Sequence, residues 1–155
     1  MLNRWLEKGS SYNRIFSETF SRFGLNQKEA ELFIAEALKV FRTFQPELKL
    51  NMRNTHLLEH FRDNYHTFLI SDGSKTLQLN KFRALKLETF FAMGNVIFTG
   101  DWGAENYKPN PAAFHKLGIS FKSNEIVYFG DRTIDKEFCN NLGIHFQRVY
   151  NMVPV

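Results

Sequence analysis

The apolar residues of this chain change rhythm once, near Tyr65. Before that point they recur three and four apart, the spacing of one face of a helix. After it they come as short apolar runs separated by helical stretches. The change divides the chain into a helical segment, residues 1–64, and an α/β segment, residues 65–155. In the first segment Ser10 or Ser11 can cap a helix carrying Tyr12, Ile15, Phe16, Phe20 and Phe23, with Gly24 suited to its end. Asn26, with Glu29 three residues on, has the form of a capping box. The helix it opens has Ala30, Phe33, Ile34, Ala37, Leu38 and Phe41 as an expected buried stripe, and Pro46 stops it. Asn54 or Thr55 is expected to open a third helix, with Leu57, Leu58 and Phe61 inward.

The second segment reads as strands at 68–70, 96–98, 126–129 and 146–150, with helices at 75–87, 111–117 and 135–142 between them. Strands separated by helices imply right-handed crossovers and a parallel, doubly wound sheet. A chain of this length buries roughly 70% of its extended surface, enough for a real core. The 17 phenylalanines favour a packed interior. In such sheets chemistry gathers at the carboxyl ends of the strands.

Three groups fall at or near those ends. Ser71 offers a hydroxyl and is followed by Asp72-Gly73. Lys108 precedes Pro109 and a helix. Gly130-Asp131-Arg132-Thr133-Ile134-Asp135 places two carboxylates four residues apart across a strand-to-helix turn. A hydroxyl donor, a fixed ammonium and paired carboxylates are the parts a phosphoryl-transfer site needs: one holds a phosphoryl oxygen, one balances charge, and the carboxylates hold a hard divalent ion.

In order and spacing these residues resemble the haloacid dehalogenase superfamily, which is mostly phosphatases. Ser71 matches its second motif, Lys108-Pro109 its third, and Gly130, Asp131 and Asp135 its fourth. Gln78, Asn80-Lys81 and Leu85 look like members with a helical cap after the first core strand, and the helices before residue 64 resemble that cap. The resemblance implies a Rossmann-like parallel sheet and Mg²⁺-dependent hydrolysis of a small phosphorylated metabolite. It assigns Ser71, Asp72, Gly73 and Lys108 to the phosphate, and Asp131 and Asp135 to the metal. The cap would choose the substrate.

The first motif of that family, Asp-x-Asp at the end of the first core strand, has no match. The chain contains five aspartates, Asp63, Asp72, Asp101, Asp131 and Asp135, and no two are separated by one residue. The resemblance therefore implies that the nucleophile and the general acid are missing, that Mg²⁺ is held weakly or not at all by this chain alone, and that it is inactive alone. In the family the corresponding strand is central, between the strands placed here at 68–70 and 126–129. Removing it strips partners from roughly five backbone groups on each neighbour, at about 1–3 kcal/mol for each one buried and unsatisfied. The neighbours are expected to pair directly, to borrow a strand from a second copy or a complementing chain, or to stay poorly ordered. A truncated product, half of a split enzyme, and a non-catalytic phosphate- or phosphosugar-binding module all fit.

Plainer readings stand beside these. Ser71 and Asp72 suit a turn, Lys108 the surface before a helix, and Asp131 or Asp135 a helix cap. Arg132 can be an ion-pair partner, Asp101 a loop residue and Cys139 a small core residue. His56-Leu57-Leu58-Glu59-His60 fits His-x-x-Glu-His, a zinc-hydrolase pattern, but five histidines make a chance match easy and no distal ligand stands out. The formal charge of +4 is scattered, which gives little reason to expect nucleic-acid binding. No segment approaches the apolar length of a membrane span. One cysteine excludes an intrachain disulfide, and a reducing, cytoplasmic setting is the expectation.

Overall fold

The computed structural model describes residues 14–120 and 122–149. The proposed caps Ser10 and Ser11, the helix residue Tyr12 and the strand end Tyr150 lie outside them. Three helices come first: α1 (Ile15–Ser21), α2 (Gln27–Thr43) and α3 (Met52–Asn64). Asn26 caps α2 as a full capping box, its side chain accepting from the Glu29 N–H at 3.0 Å. The α3 start differs from expectation. Asn51, not Asn54 or Thr55, is the cap, accepting from the Asn54 N–H at 2.8 Å. An Asx side chain three residues earlier reaches the same orphan N–H groups, and the helix gains a turn.

The α2 stripe is less buried than its pattern suggests. Phe33 and Phe41 remain 54% and 51% exposed. Helix α1, seven residues against the seventeen of α2, covers each of these rings from one side only. It meets α2 through Phe16 against Phe41 and Phe20 against Phe33, with ring centroids 6.3 and 6.1 Å apart. Phe23, expected on the same face, lies past the end of α1 and is exposed.

The α/β segment follows as β1 (Leu69–Ser71), α4 (Lys75–Ala84), β2 (Val96–Phe98), α5 (Ala112–His115), β3 (Val127–Gly130), α6 (Thr133–Leu142) and β4 (His145–Arg148). The helix expected to run to residue 87 stops at Ala84, because Lys86 turns left-handed (φ 52°) and a 3₁₀ turn, Leu87–Thr89, takes over. The end of α2 is tied to α4, where Asn80 donates to the Phe44 carbonyl at 3.0 Å.

All strand pairing is parallel, but it falls into two separate pairs. β1 pairs with β2, Ile70 opposite Ile97, and β3 pairs with β4, Tyr128 opposite Phe146. Among the described residues β1 and β3 do not pair with each other. Direct pairing across the expected gap is therefore not the solution this chain adopts. The pairs are joined by side chains instead. Phe138 and Cys139 of α6 and Ile144 form a buried cluster, and Ile70 of β1 packs against it beside Tyr128 of β3. Phe82 of α4 meets Phe98 of β2 on the other side, at a 6.0 Å ring separation.

Candidate functional site

The strand ends bring the candidate residues close together. β1 stops at Ser71, and the chain turns through Asp72 and Gly73 into α4. Gly73 takes φ +114°, which glycine adopts without strain. A Cβ at Gly100, just past β2, would overlap the Gly73 carbonyl, so the two strand-end loops pack backbone against backbone. Gln78 of α4 secures the turn. The Ser71 hydroxyl donates to its Oε1 at 3.1 Å, and its Nε2 donates to the Asp72 carbonyl at 3.0 Å. Thr99, fully buried at the end of β2, donates to Asp72 Oδ1 at 2.9 Å, and the Lys108 backbone N–H donates to the same oxygen at 3.3 Å.

Lys108 arrives on a loop held by Asn141 of α6, whose side chain donates to the Pro109 carbonyl at 2.9 Å; the Lys108–Pro109 peptide is cis. The Lys108 ammonium lies 2.6 Å from Asp135 Oδ1, 3.0 Å from the Tyr128 hydroxyl oxygen and 3.8 Å from Asp72 Oδ2. Asp135 Oδ2 accepts from the Arg132 N–H at 3.2 Å. Gly130 makes room for this carboxylate, since a Cβ there would stand 2.6 Å from Asp135 Cβ.

Burial works against the charge on Lys108, but the Tyr128 oxygen and the Asp135 carboxylate outweigh it and raise its pKa above the ordinary lysine value. The Tyr128 phenol is pushed up to about 12, first by burial and further by Asp135, with Lys108 opposing. Burial, then Asp135, pushes the Cys139 thiol up to about 11. At neutral pH Lys108 is thus an ammonium beside the neutral phenol of Tyr128.

Of the six residues singled out from sequence, Asp72, Lys108 and Asp135 form this cluster directly. Ser71 and Gly73 belong to the adjoining turn, with the Ser71 hydroxyl directed to Gln78. Asp131 follows β3, half-buried, its carbonyl accepting from Arg148 at 3.5 Å. Expected beside Asp131 as a metal ligand, Asp135 spends both carboxylate oxygens within the chain. Among the described residues no three His, Cys, Asp or Glu side chains gather into a set that could hold a metal ion. That covers His56, Glu59 and His60 of α3. His56 and His60 are exposed on α3, and His60 packs edge-on against Tyr65.

Thr99 and Tyr128 are site residues that sequence reasoning did not single out. The available signal was positional: Thr99 is the first hydroxyl after the β2 run, and Tyr128 is the one polar tip inside the apolar β3 run. An open cavity of about 610 Å³ adjoins Lys108 from the side of Glu105, Tyr107, Asn110 and Asn141. It does not reach Ser71, Asp72 or Asp135.

A loop lysine held between an acid that follows β1 and an acid in the first turn of α6, on a scaffold of parallel strand pairs and helices, is the geometry of the candidate site. The family model for haloacid dehalogenase-like hydrolases matches residues 9–149, and the chain belongs to that family. Two solved structures share its fold. A family IA, variant 3 haloacid dehalogenase hydrolase from Entamoeba histolytica is 15% identical, with a TM-score of 0.70 over 100% of this chain and 71% of that one. A protein provisionally assigned as a beta-phosphoglucomutase from Thermotoga maritima is 22% identical, with a TM-score of 0.54 over 89% of this chain and 71% of that one. No curated protein matches. No helix among the described residues is long and apolar enough to cross a membrane.

Proposed function

We propose that this chain is a phosphohydrolase domain of the haloacid dehalogenase type that carries the phosphate-side machinery and does not turn over a phosphoester alone. The observation that carries the reading is the Lys108 ammonium at the junction of both strand pairs, 2.6 Å from Asp135 and 3.8 Å from Asp72. In this reading Lys108 supplies positive charge to a phosphoryl oxygen. The Ser71 hydroxyl leaves Gln78 to donate to another, and the Asp72-Gly73 turn shapes the cradle. The helices up to Asn64 act as the cap that selects a small phosphorylated metabolite, with Phe61 of α3 already resting against Phe129 of β3 at 5.1 Å.

Two features argue that the chain is inert by itself. None of its aspartates stands in an Asp-x-Asp arrangement, so the reading provides no carboxylate to form an aspartyl-phosphate. The Lys108 ammonium is also already engaged by Asp135 and Asp72 within the chain. Haloacid dehalogenase-like hydrolases generally work with Mg²⁺, and the residues gathered here do not make up such a site unaided.

The same engagement of Lys108 speaks against the alternative of a stand-alone phosphate- or phosphosugar-binding module. The test is phosphate release from an aryl phosphate with Mg²⁺, beside calorimetry of orthophosphate binding. The expected result is no release and no measurable binding without Mg²⁺. Turnover that disappears in Asp131→Ala overturns the inert reading. Tight orthophosphate binding without turnover establishes the binding module.

A further inference from the structure

We infer that the open cavity beside Lys108 is a binding site for a small organic cation, an alkylammonium or guanidinium group on a short apolar chain. This does not rest on the phosphoryl reading, because the cavity reaches none of Ser71, Asp72 and Asp135. Its volume of about 610 Å³ falls within the roughly 300–1,000 Å³ of small-molecule sites. What selects the ligand is the set of hydrogen-bonding groups on the wall. From Tyr107 to Pro111 no backbone donor is left over. The Tyr107 N–H donates to the Ala104 carbonyl, that of Lys108 to Asp72, and that of Asn110 to the Tyr107 carbonyl. Pro109 and Pro111 have none. The side-chain amides are engaged within the chain too, Asn110 donating to the Glu105 carbonyl at 2.8 Å and Asn141 to the Pro109 carbonyl at 2.9 Å. The Lys108 ammonium goes to Asp135 and Tyr128, and neither of those lines the cavity.

Acceptors, by contrast, remain. Glu105 is exposed, and only its Oε1 is used, by the Asn106 side chain at 3.2 Å. Its Oε2 has no hydrogen-bond or ion-pair partner among the described residues. Asn141 spends its nitrogen on Pro109, which fixes the orientation of the amide, and its Oδ1 accepts nothing among the described residues. A wall of this kind suits a ligand that donates, and an anion would meet acceptors where it needs donors. The apolar part of the lining agrees. Pro109 and Pro111 offer a surface for methylene groups, and the half-buried Tyr107 adds an aromatic ring, a surface that attracts cations.

The test titrates the full chain at neutral pH with n-butylammonium, followed by nuclear magnetic resonance. The neutral probe of like shape is 1-butanol. Saturable shifts are expected at the Glu105, Tyr107 and Lys108 amides and the Asn141 side chain. Affinity is expected to fall about tenfold for butanol, and about tenfold for butylammonium in Glu105→Gln, which removes the charge and keeps the shape. Glu137→Gln, at an exposed acid of α6 outside the cavity, is expected to bind as the unaltered chain does. Nα-acetyl-lysine methylamide separates two sources of the same chemistry. Tighter binding of it than of butylammonium assigns the cation to a polypeptide side chain, and the reverse to a free amine. Shifts scattered over the surface without saturation, equal binding of butanol, an unchanged affinity in Glu105→Gln, an equal loss in Glu137→Gln, or no shift at all overturns the inference.

Discussion

The Lys108 ammonium and the Asp135 carboxylate lie 2.6 Å apart with side chains only 11% and 4% exposed, which makes them a buried pair rather than a surface contact. Each is the other's nearest charged partner, with Asp72 farther from Lys108 at 3.8 Å. Removing one partner of such a pair usually costs about 3–5 kcal/mol, because an uncompensated charge stays in the interior. Asp135→Asn is therefore expected to lower unfolding stability by an amount in that range. Lys108→Met is expected to do the same, and the double substitution to cost less than the sum of the two. Urea unfolding of the four proteins checks this, and additive losses would contradict it.

Alkaline pH attacks the same cluster. Tyr128, Lys108 and Cys139 all have folded-state pKa values above their ordinary ones. For a raised pKa the stabilisation is complete below the unfolded value and disappears as pH climbs through the folded value. Stability from these groups is expected to be level from neutral pH to about 9, the ordinary thiol value, and to fall between there and about 12, where Tyr128 ionises. Thermal unfolding followed across that window reads the trend. Tyr128→Phe should flatten part of the decline.

Gly130→Ala tests how closely β3 approaches α6. The added methyl would press on Asp135 Cβ and its Oδ2, the latter 2.8 Å away. Overpacking of this kind costs about 1–3 kcal/mol. An Asp135→Ala background removes the Oδ2 contact and keeps the closer Cβ contact at 2.6 Å, so the loss should be relieved only in part. Full relief in that background would assign the strain to the carboxylate alone.

Thr99→Val keeps the shape of a fully buried side chain and deletes the hydroxyl that donates to Asp72 Oδ1. Leaving that acceptor short of a partner should cost about 1–3 kcal/mol. The Lys108 N–H still reaches the same oxygen at 3.3 Å, which argues for the lower end. Nuclear magnetic resonance shifts of the Lys108 amide should report the change.

Much of this arrangement is readable without coordinates, and the exceptions share a cause. The β2 run, Val96–Phe98, has the boundaries its apolar pattern implies, because Asn95 and Gly100 punctuate it on both sides. The Asn26 cap of α2 is equally legible, since its signature is local. What escapes the pattern is set by distance through space. Phe33 and Phe41 look buried by period and are half-exposed, because spacing marks the face and not how many neighbours pack on it. The spacing of Asp135 to Asp131 says nothing of its contact with Lys108, 27 residues earlier. Tyr128 and Thr99 matter only once their strands align beside Lys108.

The division into two ladders has a mechanical consequence. Backbone hydrogen bonds run within β1–β2 and within β3–β4, while the junction relies on Ile70, the aromatic packing around Phe138 and the Lys108 clamp. Side-chain contacts give way more readily than a continuous ladder, so the molecule has a built-in seam. Mild denaturant should open it along that line, releasing the β3–α6–β4 unit as a cooperative piece while β1, β2 and α4 stay joined.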